Sequence, residues 1–481
     1  MDAASDAGLQ APAVDRARDG WASRRSIGRL LCVIIPVAVW FMPLELEPVT
    51  KHGLAIASFM ILAWATEAME AALAGFVGCY LFWVLKVVKF NVAFSGFAQE
   101  TAWFLFGALL FGVMATKFGL ARRLAYFVMR HVGVTYSRIL LGLIVTDFLL
   151  TPIVPSGLAR VAIMAAVAIG VTEAFGLGRG SNLGRSMFLI ITYTAGLFDK
   201  MIIAGAGAIT ARDRIMTFGQ VDVSWSTWFL AYLPCDILTI LAAWRIMLWL
   251  YPPERSAIDG GTAYVEEQTK KSGPWTSGEK RAALLLGLAV ALWITDFLHP
   301  ISSAMIALGI GLLALLPGVG VLDTEDMRRL NFLPVFFIAA ALSMGEVLSV
   351  TKGLGLLTDI MFSWMAPLMT NVFVTTIVLY WTAFVYHIFL ASEISMLSTS
   401  IPLLMSFAKS HGFNPLQIGM IWTFAAGGKL FAYQSGVLIV GYSYGYFGAR
   451  DLLRLGFALT IVEFLIVLVL VPYYWPLIGI K

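Results

Sequence analysis

The chain has 481 residues, of which 59% are hydrophobic and only 13% charged, and its formal net charge is +4. Together with a mean hydropathy of +0.84, these values exclude an ordinary soluble protein, and the small net charge predicts no nucleic-acid partner. Many windows reach the roughly 20 apolar residues that cross a bilayer. The composition therefore predicts an all-α polytopic protein whose main partner is the lipid bilayer.

The first half of the chain, 27–251, follows a polar tail at 1–26 that contains several arginines and no small-residue cleavage site, which predicts an uncleaved cytoplasmic tail. Its apolar runs predict the following elements in order: spans near 28–45, 53–68, 71–90 and 100–116, an amphipathic surface helix at 117–132, an interrupted hairpin at 137–175, a broken span at 187–210 and a span at 224–251.

A polar linker, 252–279, separates this half from a second one, 280–481, and is predicted to be cytoplasmic. The second half predicts a similar series: spans near 280–297, 300–317 and 332–348, a surface helix at 351–366, an interrupted hairpin at 371–408, a broken span at 416–441 and a final span at 453–478.

The two halves repeat one order of elements. Thr116-Lys117 recurs as Thr351-Lys352, 235 residues later (351 − 116). The two hairpin interruptions have the same spacing of 235 residues (391 − 156). If both hairpins re-enter from their own side, about eleven crossings remain and the two copies run in opposite directions, which defines an inverted repeat. Most arginines and lysines then lie inside, so the N-terminus is predicted to be cytoplasmic and the C-terminus outside the inner membrane.

Several motifs resemble one transporter family when they are taken together and in order. They are Trp64-Ala65-Thr66-Glu67-Ala68 in the second span, Gly119-Leu120-Ala121-Arg122-Arg123 in the surface helix and Pro155-Ser156-Gly157-Leu158-Ala159-Arg160 at the first hairpin tip. The chain thereby resembles the divalent anion/sodium symporters, which carry dicarboxylates, citrate and sulfate. The resemblance implies a homodimer, an elevator-like motion of the hairpin bundle and a small organic anion as substrate.

Both hairpin tips depart from the Ser-Asn-Thr sequence of that family. The first tip keeps Ser156 but continues with Gly157 and Leu158, and the second keeps Ser392 but continues with Glu393 and Ile394. The resemblance assigns the missing amides and hydroxyls to sodium and carboxylate binding. The departure predicts transport that does not strictly require sodium.

Charged side chains lie instead at positions predicted to be inside the membrane, where a charge costs roughly 3 kcal/mol and is rarely kept without a role. The predicted substrate-binding residues are Ser156, Gly157, Arg160, Lys200, Ser392, Glu393 and Lys429. The predicted charge-compensating or coupling residues are Asp147, Asp199, Lys200, Glu393 and Lys429.

The roles of these residues remain open at this point. Lys200 replaces a sodium ion or pairs locally with Asp199, and Lys429 replaces a sodium ion or pairs structurally with Glu393. Arg160 clamps the anion through its planar fork or has a packing role, and Asp147 is a coupling group or a structural acceptor. The two seryl hydroxyls bind substrate or satisfy freed backbone.

The sequence therefore predicts a secondary carrier or exchanger of small di- or tricarboxylate-like anions. The alternatives are a cation/proton antiporter of the same broad superfamily and a non-transporting membrane sensor. No catalytic dyad and no metal-ligand spacing occurs among the five histidines and three cysteines, so an enzyme, a metal site and a cofactor are not predicted.

Overall fold

The computed structural model describes residues 18–66, 68–133, 135–154, 156–203, 205–254, 261–389 and 393–480, which form helices and turns and contain no strand. The α-helices within these ranges are α1 (Arg18–Phe41), α2 (Pro48–Thr66), α3 (Ala71–Val84), α4 (Phe90–Ala93), α5 (Glu100–Lys117), α6 (Leu120–Val132), α7 (Tyr136–Leu150), α8 (Gly157–Ala174), α9 (Asn182–Met201), α10 (Ala206–Gly219), α11 (Trp225–Leu250), α12 (Gly261–Lys271), α13 (Ser277–Ile294), α14 (Ser303–Leu313), α15 (Thr324–Arg328), α16 (Leu333–Val350), α17 (Gly353–Phe362), α18 (Val372–Phe389), α19 (Glu393–Ser410), α20 (Pro415–Ala425), α21 (Gly436–Ser443) and α22 (Ala449–Tyr473).

Seven consecutive helices, α5 to α11, have counterparts in the same order in α16 to α22. In each series a long helix is followed by a surface helix, a helical hairpin, a broken helix and a final long helix. Helices α16, α17 and α20 each begin 233 residues after α5, α6 and α9 (for example 333 − 100). The order of helices is thus similar in the two series, while the inverted repeat stays a prediction.

Polar side chains cap the start of α8, in the first hairpin, and the start of α20, the first part of the second broken helix. The Ser156 hydroxyl accepts a hydrogen bond from the Ala159 amide at 3.4 Å at the start of α8. The Asn414 side chain accepts from the Leu416 and Gln417 amides at 2.9 and 3.2 Å at the start of α20. Such caps satisfy amides that have no partner within the helix, and they fix the chain at the entrance to each element.

Small residues allow the other helices to pack closely. A Cβ added to Gly107 of α5 would lie 2.4 Å from the Ala307 carbonyl group of α14, and one added to Gly75 of α3 would lie 2.5 Å from the Ala340 Cβ of α16. Close backbone approach of this kind is typical of helices packed within a membrane, where apolar side chains gain nothing by leaving the lipid.

Five helices among the described residues are long and apolar enough to cross a membrane: α2, α9 with its continuation α10, α11, α16 and α22. Helices α5 and α6 form a further candidate pair that is bent by 65°. Helix α14 has 11 residues, so the described helix is shorter than the span predicted at 300–317. The linker contains a helix, α12, that was not predicted. The prediction of about eleven crossings is not tested by these lengths.

The broken helices lie at the centre of the molecule. Helix α9 packs against α7, α8 and α11, and helix α20 packs against α18, α19 and α22. Helix α9 ends at Met201 and α10 begins at Ala206, whereas α20 ends at Ala425 and α21 begins at Gly436. Each hairpin therefore packs against the helix that precedes a break, and the side chains at the two breaks come together.

Candidate functional site

The first hairpin tip presents the backbone of Gly157 to the last turn of α9 and to α21. A Cβ at this position would lie 2.6 Å from Asp199 Oδ2 and 2.8 Å from the Val437 side chain, so a side chain does not fit here without displacement. The neighbouring Ser156 hydroxyl caps α8. The glycine that departs from the family's asparagine is thus required for close contact between the hairpin and both broken helices.

Arg160 joins the first hairpin to α9. Its Nε donates to Asp147 at 2.8 Å and its Nη2 donates to Asp199 at 2.7 Å. The same guanidinium donates to the carbonyl oxygens of Val154 and Ala195 at 2.8 and 2.6 Å, and the side chain is fully buried. Four of its five N–H groups therefore have protein acceptors. This geometry agrees with the packing role considered for Arg160, while its predicted role as an anion clamp is not tested by it.

Asp147 and Asp199 are placed by the same contacts. Asp147 is fully buried in α7, inside the hairpin, and Asp199 lies in the last turn of α9. Both carboxylates are bound by Arg160, so the local pair considered for Asp199 and Lys200 does not form. Successive residues on a helix point in different directions, and these two side chains reach different partners.

Lys200 points into the second half of the protein. Its Nζ lies 3.8 Å from Glu463 Oε1, donates to the Phe424 carbonyl at 3.4 Å and lies 4.4 Å from the centre of the Phe424 ring. Both charged side chains are only 2% exposed. The ammonium is thus held at the end of α20 by an acid, a carbonyl dipole and an aromatic face.

Lys429 follows the end of α20 and pairs with the second hairpin. Its Nζ lies 2.7 Å from Glu393 Oε2, where Glu393 is the first residue of α19. The lysine side chain is 6% exposed and the glutamate side chain 15%. This contact brings together two of the predicted site residues. Ser392 lies outside the described residues.

The two lysines are arranged reciprocally. A Cβ added to Gly427, in the second break, would lie 1.8 Å from Lys200 Nζ, and a Cβ added to Gly196 of α9 would lie 3.1 Å from Lys429 Nζ. Each ammonium therefore occupies the space that a missing side chain leaves in the opposite broken helix. Lys200 lies in the last turn of α9 and Lys429 follows the end of α20, and the predicted role of the two lysines in binding is not tested by this geometry.

Two acidic residues near the buried lysines were not predicted: Glu463 of α22 and Asp236 of α11. Asp236 is fully buried, and neither of its carboxylate oxygens has a hydrogen-bond partner among the described residues. It interacts electrostatically with Lys200 and Glu463. Glu463 and Asp236 are each the single acid in the apolar core of their helix. An isolated acid in a membrane helix is a signal that could have identified both residues.

A small cavity lies beside the ion pairs. It is lined by Lys429 and Glu463, by Gly196 of α9, by Gly427 and Gly428 of the second break and by Ser435. The volume open to the centre of a water-sized sphere is about 10 Å³, which is room for about one water molecule. The cavity is therefore closed in this structure and too small for a carboxylate ligand. Within the described ranges, no three His, Cys, Asp or Glu side chains are grouped to hold a metal ion.

Two helical hairpins that pack on two broken helices, with charges buried where the breaks meet, define the architecture of a membrane carrier with discontinuous helices. The chain belongs to the family described as the sodium:sulfate symporter transmembrane region, whose model matches residues 23–481. The membership confirms the predicted family and the prediction of an integral membrane transport protein rather than an enzyme.

The similar proteins are of comparable length. A "membrane protein" of Cupriavidus necator is 24% identical over 95% of this chain and 93% of its own. An L-tartrate/succinate antiporter of Shigella dysenteriae is 26% identical over 92% of this chain and 96% of its own. A citrate/succinate antiporter of Escherichia coli K12 is 23% identical over 95% of this chain and 99% of its own.

Proposed function

We propose that this protein is a secondary carrier that exchanges small di- or tricarboxylates across the inner membrane without a strict requirement for sodium. Two of the relatives are named as antiporters of succinate with tartrate or citrate, which supports an organic dianion as the substrate class. The proposal includes an N-terminus in the cytoplasm, a C-terminus outside, a homodimer and an elevator-like movement of the hairpin bundle.

The observation that carries the proposal is the placement of Lys200 and Lys429 at the two helix breaks. An ammonium group is a compact cation with three donors, so it can supply the charge that a mobile sodium ion would otherwise bring. Both ammonium groups are nearly fully buried and lie against the opposite broken helix. A cation that is part of the chain makes the binding of an anion independent of the sodium concentration.

Glu393 holds the place of the substrate in this scheme. In the closed structure its carboxylate lies on Lys429 at 2.7 Å, at the N-terminus of α19, where the helix dipole favours a negative charge. A substrate carboxylate that enters between the second hairpin and the break after α20 takes the place of the Glu393 carboxylate, both beside Lys429 and at the N-terminus of α19. Arg160, which the structure shows to be occupied by Asp147 and Asp199, holds the first hairpin to α9 and does not clamp the anion.

The test uses purified protein reconstituted in proteoliposomes that are loaded with succinate. We expect counterflow of labelled succinate to persist when choline replaces sodium on both sides. Lys200→Met and Lys429→Met should lose both transport and the thermal stabilisation by succinate while remaining folded, whereas Lys409→Met, at an exposed position near the end of α19, should behave like the wild type. A steep and saturable sodium requirement, or wild-type transport by both site variants, would contradict the proposal.

A further inference from the structure

The buried cluster contains more acids than bases. Its three cations are Arg160, Lys200 and Lys429, and its five acids are Asp147, Asp199, Asp236, Glu393 and Glu463. None of their side chains in these ion pairs is more than 16% exposed. If every group were ionised, the cluster would have a net charge of −2 before any anion arrived. Adding a dianion to such a site in a medium of low dielectric is strongly unfavourable.

Glu393 is the acid whose position conflicts directly with a substrate. Its Oε2 lies 2.7 Å from Lys429 Nζ, and the cavity beside Lys429 accepts about one water molecule. Glu393 therefore occupies the contact with the Lys429 ammonium that a substrate carboxylate would take. Three of the other acids are held elsewhere, since Asp147 and Asp199 bind Arg160 and Glu463 faces Lys200.

Charged and titratable groups on several neighbouring elements interact electrostatically with Glu393. They are Lys429 after α20, His387 of α18, Lys200 and Asp199 of α9, Asp236 of α11 and Glu463 of α22. Helix α10 contributes Gly207, whose added Cβ would lie 3.5 Å from the carboxyl carbon of Glu393. Once Lys429 turns to a substrate, the remaining lysine, Lys200, already faces Glu463 at 3.8 Å. The released carboxylate then lies near three further acids without a cation of its own, which is costly for a buried charge.

We propose that a proton accompanies the anion: Glu393 binds one proton when the substrate carboxylate takes its place on Lys429, and releases it when the anion leaves. The step balances because Lys429 stays an ammonium, the anion enters ionised, and one O–H bond forms on Glu393 with a proton drawn from the aqueous phase that the site faces. The neutral carboxyl group can then donate a hydrogen bond to the bound anion. This inference rests on the proposed function and adds the proton as a second transported species.

The experiment is a calorimetric titration of the purified full-length protein with succinate, at a pH at which succinate is fully ionised, in two buffers of different ionisation enthalpy. The difference in the observed enthalpy gives the number of protons taken up with each succinate. We expect about one for the wild type and for the control Glu173→Gln, an exposed acid near the end of α8. Glu393→Gln should bind succinate with an uptake near zero, because its amide cannot titrate.

Two results would overturn the inference: a wild type that binds succinate without proton uptake, and a Glu393→Gln variant that binds it with undiminished uptake. If this variant does not fold, difference infrared spectroscopy of the wild type decides, since a carboxylic acid C=O band must grow when succinate binds and its absence refutes the step. A wild type that binds neither succinate nor citrate nor tartrate would instead contradict the proposed function, so the two failures are distinguishable.

Discussion

Replacing Gly427 by alanine should displace the Lys200 ammonium without removing any charge. The new Cβ would lie 1.8 Å from Nζ, whereas ordinary contacts begin near 3.4 Å, so the ammonium must retreat by about 1.6 Å (3.4 − 1.8). Movement straight away from Glu463 would lengthen the pair from 3.8 Å to about 5.4 Å, which weakens the attraction by about 1 kcal/mol at an effective dielectric constant of about 20. Overpacking adds about 1–3 kcal/mol.

We therefore expect Gly427→Ala to lose about 2–4 kcal/mol of stability and most of the stabilisation by succinate, both measured by thermal unfolding in detergent. The matched control is Gly287→Ala in α13, where nothing lies within 4 Å of the added Cβ and a small gain in helix stability is expected. In a Lys200→Ala background the Gly427 substitution should cost less, and the remaining cost comes from the Phe424 carbonyl oxygen, which would lie 2.9 Å from the new Cβ. An equal loss in both backgrounds would refute displacement of the ammonium as the cause.

The remaining predictions concern the other contacts and the topology. Arg160→Gln leaves the carboxylates of Asp147 and Asp199 buried without a cation, and we expect a loss of about 3–5 kcal/mol in denaturation experiments; a change below about 1 kcal/mol would show that neither acid is ionised there. Lys429→Arg should bind succinate poorly in calorimetry although the charge is kept, because a planar fork does not fit the space of an ammonium group; wild-type affinity would contradict this. Cysteines introduced at Leu177 and Ser410 should react with impermeant reagents from the cytoplasmic and the outer side respectively, and labelling of both from one side would exclude the inverted repeat.

The hairpins and breaks could be located from the sequence because residues that interrupt helices have a local signature. The Thr-Pro and Pro-Ser-Gly sequence at the first tip predicts a break, and the described structure ends α7 at Leu150 and begins α8 at Gly157. The glycines before Lys429 likewise predict the end of α20. These signals depend on the conformations that a few adjacent residues allow, so one sequence is sufficient to read them.

The partners of the buried charges could not be read in the same way. Lys200 is adjacent to Asp199 in the chain, yet its acid is Glu463, which lies 263 positions further on (463 − 200). That choice depends on how α9 and α22 are rotated toward each other, which no local pattern encodes. Arg160 was expected to face a ligand because guanidinium groups suit carboxylates, and the same preference is satisfied inside the protein by Asp147 and Asp199.

The covalent attachment of the two ammonium groups also limits what the membrane potential can do. A charge that crosses the bilayer exchanges about 2.3 kcal/mol with a potential of 100 mV, but Lys200 and Lys429 cannot dissociate on the far side. In the proposed elevator movement, every outward half-cycle would be followed by the return of the same two charges, so their electrical work would cancel over a complete turnover. Through these lysines, the membrane potential can change the rate of turnover of such a carrier. The final concentration ratio of the substrate across the membrane depends only on the species that are released.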